Sequence, residues 1–159
     1  MILDERLEFA DTVLLNTGGA ASYLVGDVVD LIGLGTGVTI IGNTTTEYPA
    51  GGDPLYLVII ADVQADSAGG AATAVFSLMS DSTANLTTSP TTHFATAAIP
   101  ELTLAPGYRV CTVRLPDGPY ERYLGIKQTT AGEAFTAGSI SAFLTKSPEN
   151  WFAAPDNVS

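Results

Sequence analysis

Short apolar runs, separated by glycine, proline and threonine, account for most of this chain. Eight runs have the length and composition of β-strands: residues 23–31, 37–41, 54–61, 73–80, 92–97, 108–115, 121–129 and 139–146. Turn-forming sequences such as "AGGD", "SAGGA" and "LPDGP" lie between them. About eight short strands at this spacing predict an all-β sandwich or barrel.

Alternation of apolar and polar residues predicts which side chains enter the core. The runs at 108–115 and 121–129 each have one apolar and one mixed face, and their expected core residues are Cys111, Val113, Leu115, Leu124 and Ile126. The run "PLYLVII" at 54–60 is apolar on both faces. Because water on either face would be unfavourable, this run is a central strand or its outer face meets a partner.

Helix signals are weak along the whole chain. There are 16 glycines and 9 prolines, and the stretch that best tolerates a helix, residues 4–15, has no persistent helical period, so we expect at most a short turn there. No repeat or linker divides the chain. The predicted organisation is one domain, residues 1–159, with an N-terminal arm at about 1–20 and a C-terminal tail at about 147–159.

Composition and charge restrict the class of protein further. Of the 159 residues, 46% are hydrophobic and 14% charged, which favours a buried core, and no apolar run is long enough to span a membrane. A net charge of −11 disfavours binding to nucleic-acid phosphates. Cys111 alone cannot form an intrachain disulfide, and the acidic N-terminus is unlike a signal peptide. We expect a soluble protein made in a reducing cytoplasm, binding neither nucleic acid nor membrane.

The sequence contains only weak candidates for catalytic or metal-binding motifs. His93 is the single histidine and no G-x-S-x-G sequence accompanies it, so we expect an ordinary half-exposed residue. Asp62 and Asp66 could share a surface cation with backbone carbonyls, but a solvated loop is the favoured interpretation. "GLGTG" at 33–37 precedes a strand rather than a helix, unlike a nucleotide loop. We expect no catalytic residue, cofactor or metal.

The segment "RLPDGPYERYLGIKQTT" at 114–130 contains three of the chain's six basic residues. The basic side chains expected on neighbouring strands here are those of Arg109, Arg114, Arg122 and Lys127, with Asp117 and Glu121 at the turn between them. Two hypotheses remain open. The segment is a hairpin whose outer face is stabilised weakly by cross-strand ion pairs, or its arginines dock an acidic partner or a second copy.

Two long segments, residues 53–96 and 114–146, together with the opening "MILDERLEFAD", resemble the capsid cement or decoration proteins of tailed bacteriophages, of the Bordetella-phage type. The most specific matches are "PLYLV", "TSPTT", "YERYL" and "FTAG". The resemblance implies a jelly-roll-like antiparallel β-sandwich that forms a homotrimer and bridges major capsid protein subunits on the outer surface of the virion. It adds no catalytic residue. Residues 35–53 depart from the family by being longer, which leaves the loop contacts there open.

The hypothesised partner interface combines the two termini with the basic segment. Its residues are Leu3, Phe9, Arg114, Tyr120, Arg122, Trp151 and Phe152. Prolines 148 and 155 exclude continued strand pairing in the tail, so Trp151 and Phe152 either clip the protein's own sandwich edge or anchor in a neighbouring molecule.

Two other function classes stay open beside capsid decoration. A carbohydrate-binding β-sandwich on a virion or cell surface would need a platform of exposed aromatics, for which the candidates are Tyr48, Tyr56, Tyr108, Tyr120 and Tyr123. A small hydrolase or isomerase would need His93 to lie in a pocket beside an acid.

Overall fold

A computed structural model describes residues 7–15, 19–31, 54–116 and 120–150. These residues form nine strands, which are β1 (Glu8–Leu14), β2 (Ser22–Asp30), β3 (Tyr56–Ser67), β4 (Thr73–Asp81), β5 (Thr91–Ala95), β6 (Ile99–Pro100), β7 (Arg109–Arg114), β8 (Tyr123–Ala131) and β9 (Phe135–Thr145). Two 3-10 turns follow β6 and β9, at Glu101–Thr103 and Pro148–Asn150. The predicted all-β single domain is confirmed.

The strands form two antiparallel sheets in the order of a jelly roll. The first sheet runs β1-β9-β3-β7 and the second runs β2-β8-β4-β5, with the short β6 also paired to β4. Leaving β6 aside, the first strand pairs with the last, the second with the last but one, and so on inwards. This is the pairing of one long hairpin wrapped into a two-sheet sandwich, so the jelly-roll prediction is confirmed.

The core fills the space between the inner faces of the two sheets. Its largest wholly buried side chains are Phe9, Phe76, Phe135, Leu57, Ile59, Leu78, Leu104, Leu124, Ile126, Ile140 and Leu144. The predicted inward faces of β7 and β8 are confirmed, since Leu115, Leu124 and Ile126 are buried and Cys111 and Val113 pack against the core. Strand β3 lies inside the first sheet, between β9 and β7, as its two apolar faces predicted.

Seven of the eight predicted runs contain a strand, and the eighth, residues 37–41, lies outside the described residues. The prediction of a short helical turn at 4–15 is wrong, because Glu8–Leu14 is a strand paired with β9. Two register shifts along that pairing and a positive φ of 50° at Thr12 break its alternation. Without a regular period of two, the sequence carried no strand signal there.

Candidate partner-binding surface

The basic residues of the predicted hairpin lie in different sheets. Strand β7, which carries Arg109 and Arg114, pairs with β3, whereas β8, which carries Lys127, pairs with β2 and β4. Consecutive strands joined across a sandwich do not pair with each other, so the expectation of a charge-bearing hairpin is wrong. The basic side chains do not form one surface across neighbouring strands.

Arg122 is held by an acid from the first half of the chain. Its Nε donates to Asp30 Oδ1 at 3.1 Å and its Nη2 to Asp30 Oδ2 at 2.8 Å, while its guanidinium carbon lies 4.8 Å from the centre of the Tyr123 ring. The hydrogen bond to Asp30 raises the pKa of the guanidinium above its ordinary value. Arg122 is still 47% exposed. It can meet a partner only with its charge already paired by Asp30.

The other hypothesised interface residues occupy different environments. Arg114 is exposed on β7, opposite Tyr56 of β3. Phe9 is 1% and Tyr120 is 5% exposed, and both belong to this chain's own core. Their side chains therefore pack inside the sandwich and are not exposed on its surface. The residues Leu3, Trp151 and Phe152 lie outside the described residues.

Two large aliphatic side chains flank one buried hydroxyl on the outer face of the first sheet. Leu14 of β1 and Val63 of β3 both lie opposite Ser139 of β9, and are 75% and 47% exposed. Ser139 is 1% exposed and its Oγ has no hydrogen-bond partner among the described residues. We call Leu14, Ser139 and Val63 the outer-face patch. Leaving aliphatic groups in water is unfavourable, which makes this patch a candidate contact surface.

Beside the patch, the Ser141 hydroxyl, the Asp62 carboxylate and the Thr12 amide are joined by hydrogen bonds. Ser141 Oγ donates to Asp62 Oδ2 at 2.8 Å and accepts the Thr12 amide at 3.0 Å. Burial raises the pKa of Asp62, and the negative charge of Asp11 adds to that increase, while the Ser141 hydrogen bond opposes it. Asp66, which was considered with Asp62 for a shared cation, accepts a hydrogen bond from the Ser67 amide. The described residues contain no cluster of three or more metal-binding side chains.

The connection between β4 and β5, residues 82–90, folds over the outer face of the second sheet. Leu86 has a φ of 50° and is wholly buried, and its carbonyl accepts a hydrogen bond from Lys127 Nζ at 3.1 Å. A Cβ on Gly125 would lie 2.9 Å from the Leu86 side chain, so glycine makes the room that this leucine fills. The connection therefore covers this part of the second sheet.

Asp81 ties both ends of that connection together. Its carboxylate accepts the Thr88 amide at 2.8 Å, the Ser82 hydroxyl at 3.2 Å and the Thr83 amide at 3.4 Å. Burial raises the pKa of Asp81, but these donors outweigh burial and hold the pKa below its ordinary value. A lowered carboxyl pKa contributes stability above the ordinary value of 3.8, and this contribution is lost as the pH falls through the folded-state value.

Replacing Asp81 with asparagine is expected to lower the melting temperature by a few degrees at pH 7. The amide side chain carries no charge and places a donor against donors. Melting of both proteins by circular dichroism at pH 7 and pH 3 checks this, because the difference should shrink in acid. The control is Asp66→Asn, whose parent carboxylate accepts the adjacent Ser67 amide. An equal loss in both variants would contradict a special role for Asp81.

Neither His93 with its neighbour Ser80 nor Cys111 has the environment of a reactive group. His93 Nε2 lies 2.8 Å from Ser80 Oγ, a pairing that hydrolase sites also use, but Ser80 is wholly buried. A substrate carbonyl cannot reach a buried hydroxyl without opening the sandwich. Burial raises the pKa of the Cys111 thiol to about 12, so it is protonated at neutral pH. This environment fits a protein without catalytic function.

The tyrosines offered for a sugar platform are scattered among different environments. Tyr108 is 38% exposed, Tyr56 and Tyr123 are half-buried, and Tyr120 is in the core. Tyr56 lies on β3 of the first sheet and Tyr123 on β8 of the second. Tyr48 is outside the described residues. The two half-buried candidates, Tyr56 and Tyr123, therefore lie in different sheets.

Comparison with known proteins gives one positive match. No curated protein matches the chain. Among the described residues, no helix is long and apolar enough to cross a membrane. The Bbp16 family matches residues 21–144, from just before β2 into the end of β9. Bbp16 is a Bordetella phage protein, which confirms the resemblance found in the sequence and points to a structural component of a virion. The chain therefore belongs to the Bbp16 family.

Proposed function

We propose that this protein decorates and stabilises an assembled phage capsid by bridging major capsid protein subunits, without catalysis. The observation that carries the proposal is the Bbp16 family match over residues 21–144. The jelly-roll sandwich and the buried state of Ser80 support it, because they provide a rigid scaffold rather than a reactive site. In this proposal the protein is a homotrimer on the outer surface of the virion.

The proposed mechanism is stabilisation by mass action. A site that spans two or more capsid subunits exists only on the assembled shell, so binding lowers the free energy of the assembled state alone. A trimer presents three equivalent patches, and simultaneous engagement raises the overall affinity without new contacts at any one patch. The outer-face patch and Arg114 supply apolar and basic groups for contact with a capsid subunit.

Solution mass and binding to heads test the proposal together. We expect light scattering after size exclusion to give three times the mass of the 16.4 kDa chain, and the protein to co-sediment with expanded heads. A monomer that stays in the supernatant would contradict it. A trimer that ignores heads would contradict capsid decoration while leaving self-assembly in place.

The outer-face patch gives a sharper prediction. Replacing Leu14 and Val63 together by glutamate is expected to reduce the amount of protein bound to phage heads by about tenfold or more. Contact with the capsid would then remove water from the two introduced carboxylates, which is unfavourable. The control is Thr92→Glu with Ser22→Glu, which adds the same charge at exposed positions of the second sheet. Both variants are compared by co-sedimentation after circular dichroism has shown equal melting temperatures. Equal occupancy would remove the patch from the contact surface.

A further inference from the structure

A groove of about 290 Å³ opens between β1 and β2, at the edge where the two sheets meet. Strand β1 pairs with β9 and β2 pairs with β8, so the two strands lie side by side but belong to different sheets. The residues that line the groove are Glu8, Phe9, Ala10, Asp11, Val13, Gly26 and Asp27. Three of these residues are acidic, and no basic residue is among them. We call this space the acidic groove.

The lining of the acidic groove is divided between apolar and charged parts. Phe9 and Ala10 are buried, whereas Asp11 and Asp27 are exposed and Glu8 is half-buried. The buried residues belong to the inner part of the groove and the exposed carboxylates to its mouth. A ligand therefore meets negative charge on entering and an apolar surface below it.

This lining favours a lysine or arginine side chain. A cleft lined by charges of one sign concentrates groups of the opposite sign, and the net charge of −11 adds a long-range attraction for a basic partner. Lysine and arginine also have hydrocarbon stems, which pack on apolar surface while the charged end binds a carboxylate. A wholly polar cation would leave the apolar part of the lining without a contact.

Asp11 connects the acidic groove with the outer-face patch. The Thr12 hydroxyl donates to Asp11 Oδ1 at 3.2 Å, and the Thr12 amide donates to Ser141 Oγ at 3.0 Å. The same Ser141 oxygen donates to Asp62. Burial and the negative charge of Asp11 both raise the pKa of Asp62, which shows that the two carboxylates are close. The groove and the patch are therefore parts of one surface.

An irregularity in β3 places two consecutive side chains on this surface. Ser139 and Ser141 are two positions apart on β9 and point to the same face. Val63 lies opposite Ser139, and Asp62 is bonded to Ser141, because the register shifts between Ala61 and Val63. Such bulges redirect side chains and are common at sheet edges and beside functional sites. An acid and an aliphatic group are thus presented together.

The hydroxyl of Ser139 is a further sign that this surface meets a partner. It is buried between Leu14 and Val63, and it has no hydrogen-bond partner in the part of the chain that the structure describes. An unpaired buried hydroxyl is unfavourable. A polar group that enters between the two aliphatic side chains would satisfy it.

We propose that the acidic groove binds a lysine or arginine side chain of the major capsid protein, whose apolar neighbours cover the outer-face patch. The capsid protein as partner rests on the proposed function. The basic and apolar character of the bound segment rests on the groove and the patch. Binding would relieve the repulsion among the carboxylates of the groove, and it would weaken as salt screens their charges.

A peptide titration tests the groove without phage heads. The probe is acetyl-Leu-Arg-Leu-amide, and the control probe carries citrulline, a neutral side chain of nearly the same shape, in place of arginine. In NMR spectra of the native protein, we expect the arginine peptide to shift the amides of Gly26 and Asp27. It should bind about threefold or more tightly than the citrulline peptide.

A double variant tests the carboxylates. Asp11→Asn with Asp27→Asn should remove the preference for arginine, because each asparagine keeps a side-chain oxygen but no charge. The control is Asp66→Asn with Glu149→Gln, which changes the net charge equally at exposed positions outside the groove. The control should keep the preference. Circular dichroism first establishes that both variants melt as the native protein does.

Co-sedimentation with expanded heads tests the partner. We expect the groove variant to lower the amount bound by about tenfold, since several copies of the site act together, and the control variant to bind as the native protein does. Native protein that ignores heads would contradict the proposed function, while the peptide titration still decides whether the groove takes a basic side chain. Three results would overturn the groove: equal binding of both peptides, unchanged head binding by the groove variant, or calcium chloride shifting the same amides more strongly than the peptide.

Discussion

Replacing Gly26 with alanine is expected to lower the free energy of unfolding by about 2–5 kcal/mol, which combines the cost of a left-handed alanine with that of overpacking. Gly26 has a φ of 60° in β2, and a Cβ there would overlap the Phe9 carbonyl oxygen and lie 3.0 Å from its carbonyl carbon. These atoms are backbone, so no side-chain rotation relieves the overlap. The added methyl group must push β1 away from β2. These two strands belong to different sheets and hold the sheets together at this edge.

The matched control is Gly19→Ala. Gly19 also has a positive φ, of 102°, but no atom lies within 4 Å of its added Cβ. In Gly19→Ala the free energy of unfolding should fall by about 1–2 kcal/mol, from the cost of the backbone conformation alone. Urea unfolding at one fixed protein concentration measures both variants. Equal losses would show that the approach of β1 to β2 contributes nothing beyond the φ at Gly26.

Replacing Phe76 with alanine is expected to cost about 3–5 kcal/mol of the free energy of unfolding. Phe76 is wholly buried in β4, the strand of the second sheet that pairs with β8, β5 and β6. The lost ring would leave a cavity between the sheets, and paired strands on both sides of β4 restrict its collapse. For a domain stabilised by about 5–15 kcal/mol this loss is a large fraction of the total.

Phe94→Ala is the control for this prediction. Phe94 packs against the same core from the edge strand β5 but is only half-buried. Because part of its ring is already in water, we expect a smaller loss of about 1–2 kcal/mol. The urea midpoint should shift with an unchanged slope in both variants. A loss at Phe94 as large as that at Phe76 would contradict a core centred between the sheets.

Within individual strands, the structure agrees with what the residue pattern predicted. Leu124 and Ile126 enter the core and Lys127 does not, because successive side chains of a strand point to opposite faces. The exception is β1, where the positive φ at Thr12 and two shifts of register interrupt that rule. Its strand character depends on pairing with β9, more than a hundred positions away along the chain.

The predicted interface shows the same division between local and distant information. The exposed position of Arg114 follows from alternation along β7. The burial of Phe9 and Tyr120 does not follow from the local pattern, because an aromatic residue beside charged residues can be either buried or exposed with the same neighbours in sequence. Nor could the pattern identify the outer-face patch, which depends on placing Leu14 and Val63 on either side of β9.

By itself, the sequence determined the all-β class, seven strand positions, the inward faces of β7 and β8, and a resemblance specific enough to indicate the family. These properties depend on neighbouring residues and on turn chemistry, which act over a few positions. Only the tertiary structure decided that β7 and β8 lie in separate sheets, that Arg122 meets Asp30 from 92 positions away, and that His93 joins Ser80 to Glu121. Those contacts form because both sheets must bury their apolar faces together, and that requirement is non-local.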